Sequence, residues 1–319
     1  MEISVIIPTH NRIESLKKCL YSLNKSNYPY DKFEVIVIDD GSTDNTKEVV
    51  SRYQSLHSNI QYFFQENRGL PAARNAGLKL STAPFIAFLD ADDVWMPEKL
   101  EETLKPFYAQ PNLGVVYTLV EMMNGWGNHL VQERPCTPVR GEVFHQLLFN
   151  NSIAGSSSSV LVRKECVKKV GSFDESLPSC EDWDLWLRIA RYFPFDYIAK
   201  PLVKIRIHEK NMHKDVERMV KGKLALMEKV FREDSLELAP FRSSAFATIY
   251  LTASRQYMDI GLHAKGFRFM SKAFLLKPFM VLCHASLRTS MFLFFNHTFS
   301  DMNRLLRRLV KTLLFRGRG

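Results

Sequence analysis

The chain has 319 residues, 46% of them hydrophobic and 24% charged, with a formal net charge of +9 and a sequence pI near 9.2. Those proportions describe a globular protein with room for a sizeable core and an appendage, and they exclude a disordered or collagen-like chain. The five cysteines (Cys19, Cys136, Cys166, Cys180, Cys283) form no CxxC pair, and their odd number argues against a closed disulfide framework and fits a reducing cytoplasm, while the positive charge admits nucleic acid, anionic lipid or a phosphorylated substrate as partner.

The N-terminal apolar stretch is too short, and too soon followed by Pro8 and polar residues, for a signal peptide; it reads as a first core strand. Strand-like runs then alternate with helix-like segments: Ile3 to Pro8, Ile13 to Leu23, Phe33 to Asp39, Thr46 to Tyr53, Ile60 to Phe64, Pro71 to Leu80 and Pro84 to Leu89. Continuous Val, Ile and Phe runs separated by amphipathic helices indicate a mainly parallel sheet covered on both faces, and such sheets bind ligands at the carboxyl ends of their strands. Four consecutive ends carry polar sets: Pro8, Thr9, His10, Asn11 and Arg12; then Asp39, Asp40, Gly41 and Ser42; then Asn67, Arg68 and Gly69; then Asp90, Asp92 and Asp93. The last set, in Phe88-Leu-Asp-Ala-Asp-Asp-Val-Trp95, suits a hard cation such as Mg2+ or Mn2+, and a solvated acidic turn is the simpler alternative.

A second block runs from about Gly141 to His213. Gly155 to Ser159 is a small polar stretch before a strand-like Val160 to Val162, readable as an acceptor floor or as a tight turn. Trp183, Trp186, Leu187 and Ala190 then recur at helical spacing, which sets Glu181 and Asp182 at a helix start. There the helix dipole favours an ionised carboxylate, a property that suits a general base as well as a plain cap. From about Lys214 the pattern is helical. Lys277, Pro278, His284 and Arg288 interrupt the best apolar stretch before it reaches the roughly 18 to 20 residues of a spanning helix. Met302 to Phe315 is a basic amphipathic helix with Leu305, Leu306, Leu309, Val310 and Leu313 on one stripe; it reads as attached to an anionic membrane face, aided by Phe292 to Phe295, or as docked on its own domain.

Five ordered motifs, VIIPTHNR from Val5, VIVIDDGSTDNT from Val35, NRGLPAARNAGL from Asn67, FLDADD from Phe88 and CEDWDLWLRIA from Cys180, with RIHEKNM from Arg206, resemble the inverting glycosyltransferases of family 2. The resemblance covers about residues 1–213. It implies an α/β GT-A fold, a Rossmann-like nucleotide-binding, mainly parallel sheet flanked by helices, with a donor half at about 1–100, an acceptor half at about 101–213 and a helical extension over 214–319. It also implies roles: Pro8, Thr9, Asn11, Arg12, Asp39 and Asp40 for the nucleoside, Arg74 and Asn75 for the donor sugar and diphosphate, Asp90 for the ribose or sugar, and Asp92 with His208 for Mg2+ or Mn2+. Asp182 matches the base, with Glu181 and Asp93 on the acceptor side.

The implied reaction moves one sugar from a nucleoside-diphosphate sugar, a uridine diphosphate sugar by expectation, to a glycan or lipid-linked hydroxyl in cell-envelope or exopolysaccharide synthesis. The QxxRW motif of processive members is absent after the acidic pair, which favours single transfer. The expected setting is the cytoplasm, with the inner membrane face as a place of attachment. A sugar nucleotidyltransferase would need a glycine-rich first loop where this chain has Pro-Thr-His-Asn-Arg, a non-catalytic scaffold predicts lost carboxylates, and no reading motif supports nucleic acid.

Overall fold

Every residue of Ile3–Thr9 (β1) is buried, as a strand covered by helices on both faces must be, and its Val and Ile therefore show no polar alternation. A computed structural model of the chain describes residues 1–124, 129–130, 137–153, 157–208, 211–233 and 236–283. After β1 come Ile13–Leu23 (α1), Phe33–Asp40 (β2), Thr46–Leu56 (α2), Ile60–Gln65 (β3), Leu70–Leu80 (α3), Phe85–Phe88 (β4), Val94–Trp95 (β5), Lys99–Ala109 (α4), Val115–Met123 (β6) and His129–Leu130 (β7). The chain continues through Phe144–Phe149 (α5), Val160–Arg163 (β8), Lys164–Val170 (α6), Glu181–Ala190 (α7), Phe195–Arg206 (β9), Val216–Glu233 (α8), Ala239–Asp259 (α9), His263–Leu276 (α10) and Pro278–Cys283 (α11). The bounds of α1 are those its pattern predicts, whereas α2 runs past Tyr53 to Leu56.

The sheet order is β3-β2-β1-β4-β8-β6-β9-β5, with β7 paired to β6. Strands β3, β2, β1 and β4 are parallel, as their uniform apolar runs predict. Beyond them the sheet is mixed: β8 is antiparallel to β4 and β6, β9 is parallel to β6, and β5 is antiparallel to β9. These pairings join residues far apart in the chain, and no local pattern specifies them. Two compact units divide the chain, Met1–Lys229 and Val230–Gly319, and the division falls inside α8. In the second unit α9, α10 and α11 enclose a small core of Leu251, Met270, Ala273 and Val281. No described helix is long and apolar enough to cross a membrane. The expected basic helix Met302 to Phe315, Phe292 to Phe295, and Gly155 and Ser156 lie outside the described residues.

Helix α3 lies unusually close to β1 because Gly77 has no side chain. A Cβ built there would stand 2.3 Å from Ile6 Cγ2 and 3.1 Å from Ile6 Cγ1, on a fully buried strand that cannot give way. Gly77→Ala should therefore cost more in overpacking than the ~1 kcal/mol it gains in helix propensity, leaving a net loss of about 2 kcal/mol in a urea titration. A gain in stability would show that α3 can move off the sheet.

Candidate active site

Strand β1 sends the chain to β2 and β3 on one side and meets β4 on the other, so the order reverses between β1 and β4. In an open α/β sheet the carboxyl ends at such a point form the binding crevice. Its two lips here are the loop after β1, with Asn11 and Arg12, and the turn after β4, with Asp90 and Asp92. Arg12 Nη1 donates to Asp92 Oδ2 and closes the gap between them.

The acidic turn is held in place from behind. Ser158 Oγ accepts from the Asp90 amide at 3.0 Å and donates to Asp93 Oδ2 at 2.6 Å, while Trp95 Nε1 donates to Ser158 O at 2.9 Å. The Arg206 amide, at the end of β9, donates to Asp93 Oδ1 at 3.2 Å, and Arg206 Nε donates to Asp92 O at 3.1 Å. Asp93 is thus 2% exposed and faces the scaffold, where burial first and then Asp92 and Asp90 push its carboxyl up. Strand β9 also delivers His208, whose Nε2 is 3.0 Å from Asp92 Oδ2 and 2.9 Å from Arg12 Nη1. Asp92 and His208 therefore converge on a point where a cationic group already sits.

The N-terminal half of α3 brings Arg74 to the same rim. Its side chain is 3% exposed and the guanidinium forks: Nη2 donates to Asp90 Oδ1 and Nη1 to Glu181 Oε1, both at 2.8 Å. Burial alone would lower its pKa, but Asp90, then Glu181 and Asp182, outweigh burial and shift it up. Phe173 stacks under the cation, with the guanidinium carbon 5.4 Å from the ring centre. Next to it, Asn75 donates to Phe173 O and Glu175 Oε1 and accepts from the Phe173 amide, all at 2.9 Å. Both ends of that amide are committed to the 173–175 segment.

Helix α7 presents the acidic pair. Its N-cap, Cys180, has φ 67°, and Asn11 has φ 50°; these are the non-glycine residues at positive φ among the described residues, and they flank the site. Asn11 is relieved by bonds to Ser42 and Thr43, whereas Cys180 bears a cost on the order of 1 to 2 kcal/mol at the turn that brings Glu181 onto Arg74 with Asp182 beside it. Burial, then the charge of Glu181, raise the Asp182 carboxyl to about 6 against the pull of Arg74. The helix dipole expected to keep this group acidic is thus outweighed, yet the group stays mostly ionised at neutral pH. The helix itself is anchored where Trp183 Nε1 donates to Leu147 O at 2.8 Å and Asp184 accepts from Arg188 and Lys229.

On the other side of β1, Asp39 accepts from the Ser42 amide at 2.8 Å and from Tyr62 at 2.7 Å. Asp40 accepts from Gln65 at 2.7 Å and from the Arg68 and Gly69 amides at 2.9 and 2.8 Å. Pro8 and Thr9 end β1 beside them, and Thr9 Oγ1 is buried with no hydrogen-bond partner among the described residues. The rim thus joins Arg12, Asp92 and His208 in one cluster and Arg74, Asp90, Glu181 and Asp182 in another. Sequence reasoning passed over Ser158, Arg206, Phe173 and Glu175 as individual residues. Ser158 and Arg206 lie inside stretches that stood out, but their partners are more than sixty residues away.

The Glycosyl transferase family 2 model matches residues 4–170. An uncharacterized glycosyltransferase of Rickettsia bellii is 33% identical over 210 residues, which cover 66% of this chain and 29% of that protein's length. Among solved structures, S. aureus TarS 1–349 in complex with UDP-GlcNAc has a TM-score of 0.61 at 18% identity, over 86% of this chain and 91% of that one. The mannosyltransferase PcManGT from Pyrobaculum calidifontis, in complex with GDP-Man and Mn2+, has a TM-score of 0.60 at 20% identity, over 90% of this chain and 82% of that one. Both are GT-A glycosyltransferases, and at such identities the likeness establishes a shared GT-A fold.

Proposed function

The chain belongs to glycosyl transferase family 2, and on that premise we propose that it transfers a single sugar from a nucleoside-diphosphate sugar to a hydroxyl acceptor with inversion at the anomeric carbon. The observation that carries this reading is the fork of Arg74, which ties the acidic turn after β4 to the acidic pair of α7. A donor held at Asp90 and an acceptor held at Asp182 would then share one rim. Asp182 takes the proton of the acceptor hydroxyl, the freed oxygen pair forms the new glycosidic bond, and the bond to the diphosphate breaks with its electron pair on the leaving oxygen. Arg74, buried and permanently charged, bridges the Asp90 and Glu181 carboxylates and so fixes the spacing between the donor and base sides. The unpartnered Thr9 hydroxyl and the spare lone pairs of Asp39 favour a nucleoside that offers polar edges.

Asp92 and His208 would hold a divalent cation. The Asp92 carboxylate suits Mg2+ or Mn2+, and a His208 imidazole beside it favours Mn2+ of the two; their convergence on the Arg12 guanidinium marks a point of negative potential fit for a cation. Among the described residues no group of three His, Cys, Asp or Glu could hold a metal, and two protein ligands match an ion whose shell is completed by water and phosphate oxygens. When bound, such an ion supplies Lewis-acid neutralisation of charge on the diphosphate. We read the acceptor as a glycan or lipid-linked hydroxyl, and the lack of a QxxRW motif as favouring one transfer per encounter.

Incubation with uridine, guanosine and thymidine diphosphate sugars should release nucleoside diphosphate from one donor class only, in a reaction that EDTA stops and Mn2+ or Mg2+ restores. No turnover across that panel, with binding retained, would support a scaffold instead. Pyrophosphate release from a nucleoside triphosphate and a sugar phosphate would support a nucleotidyltransferase.

A further inference from the structure

The positive charge of the chain is confined to its last part. Residues 260–319 hold eleven of the 43 Lys and Arg and one, Asp301, of the 34 Asp and Glu, a net of +10, so residues 1–259 carry −1. Four of those cations, Lys265, Arg268, Lys272 and Lys277, fall on α10 and its junction with α11, where there is no acid between Ile260 and Cys283.

Helix α10 packs on α9 through Gly266, Met270 and Ala273. A Cβ on Gly266 would stand 2.7 Å from Met258 Cγ, so that face is closed. Among the described residues nothing covers its other side or the corner into α11: Leu275 is 82% and Phe279 83% exposed, with Phe274 and Leu276 also exposed beside them. Arg268 and Lys272 are exposed along the same helix. Scattered surface leucines need no explanation, but four large apolar side chains at one corner, on a basic stretch whose sequence holds no Asp or Glu, do.

We propose that the α10–α11 corner docks on an anionic lipid surface. Leu275, Leu276 and Phe279 enter the boundary between headgroups and acyl chains, and Arg268, Lys272 and Lys277 meet the phosphates. A second copy of the chain is disfavoured as the occupant, because a two-fold contact would set the same acid-free cationic corner against itself. The inference is independent of the proposed sugar transfer, since neither cluster at the catalytic rim enters it.

Sedimentation of the full chain with phosphatidylcholine vesicles, with and without phosphatidylglycerol, tests the proposal. Binding should require phosphatidylglycerol and fall as salt rises. The double substitution L275E/F279E should lower the bound fraction about tenfold, K272E/K277E should lower it by a similar factor, and both should keep the wild-type circular dichroism and donor hydrolysis. Wild-type protein that stays in solution with the anionic vesicles overturns the proposal, as does L275E/F279E binding like wild type. So does a wild-type oligomer that L275E/F279E dissociates in the absence of lipid, which would identify a second copy as the occupant.

Discussion

Asp182→Asn should lower the rate of sugar transfer about 10³-fold, near 4 kcal/mol in activation free energy, while donor affinity stays within about twofold. The amide keeps the size and the first-turn position of the side chain but cannot accept a proton. Because burial and Glu181 raise the carboxyl to about 6, the wild-type rate should climb as pH passes through that value and level off above it. The residual rate of the variant should show no such step. Stability should move in the opposite direction. A carboxyl whose folded pKa lies above its ordinary 3.8 gives its full contribution below the unfolded value and loses it as pH rises through the folded one. At pH 8 the wild type therefore carries an unfavourable charge that asparagine lacks, and urea denaturation should find the variant more stable by on the order of 1 kcal/mol. At pH 3 the difference should vanish. An equally active variant, or a wild-type rate that is flat across pH 6, would remove Asp182 from the role of base.

Arg74→Met should cost about 3 to 5 kcal/mol, the usual price of stripping the partner from a buried charge. Methionine conserves most of the volume, so the loss is electrostatic. It should be uneven between the two partners: the Asp90 side chain is 21% exposed and can recover water, whereas that of Glu181 is 7% exposed and cannot. The double variant R74M/E181Q should accordingly regain about 2 kcal/mol over R74M, and pairing it with D90N instead should regain less. Neither double variant should regain transfer, because the strut between the donor and base sides is gone. Arg74→Lys tests the fork itself. Its single ammonium keeps the charge but does not reproduce two parallel donors, and we expect donor affinity to fall although the fold survives. Thermal melts and donor titration separate these outcomes; equal recovery from E181Q and D90N would show that burial does not govern the cost.

The parallel half of the sheet was legible because β1 and β2 are buried throughout, and eight or fewer consecutive apolar residues between polar ends have few other uses. Local periodicity likewise foretold α1 and α7. Beyond β4 the chain pairs at long range, and the antiparallel contact of β4 with β8 depends on which strands close the core together. The same limit applies at the site. Arg74 stood out by its place in a motif, but its bond to Glu181 spans 107 positions, and only the folded sheet reveals it. The Asp182 carboxyl shows the limit in energetic form: the helix start was visible in the spacing of Trp183 and Trp186, while the desolvation and the neighbouring Glu181 charge that raise its pKa were not.

The turn from Asp90 to Trp95 is tied three times to Ser158 and twice more to Arg206. Fixing a residue's backbone costs roughly 1 to 2 kcal/mol in conformational entropy. For these residues that cost is met when the chain folds, so a ligand arriving at Asp90 and Asp92 encounters carboxylates that already have a single address. Its affinity need not be spent on quieting the loop that receives it.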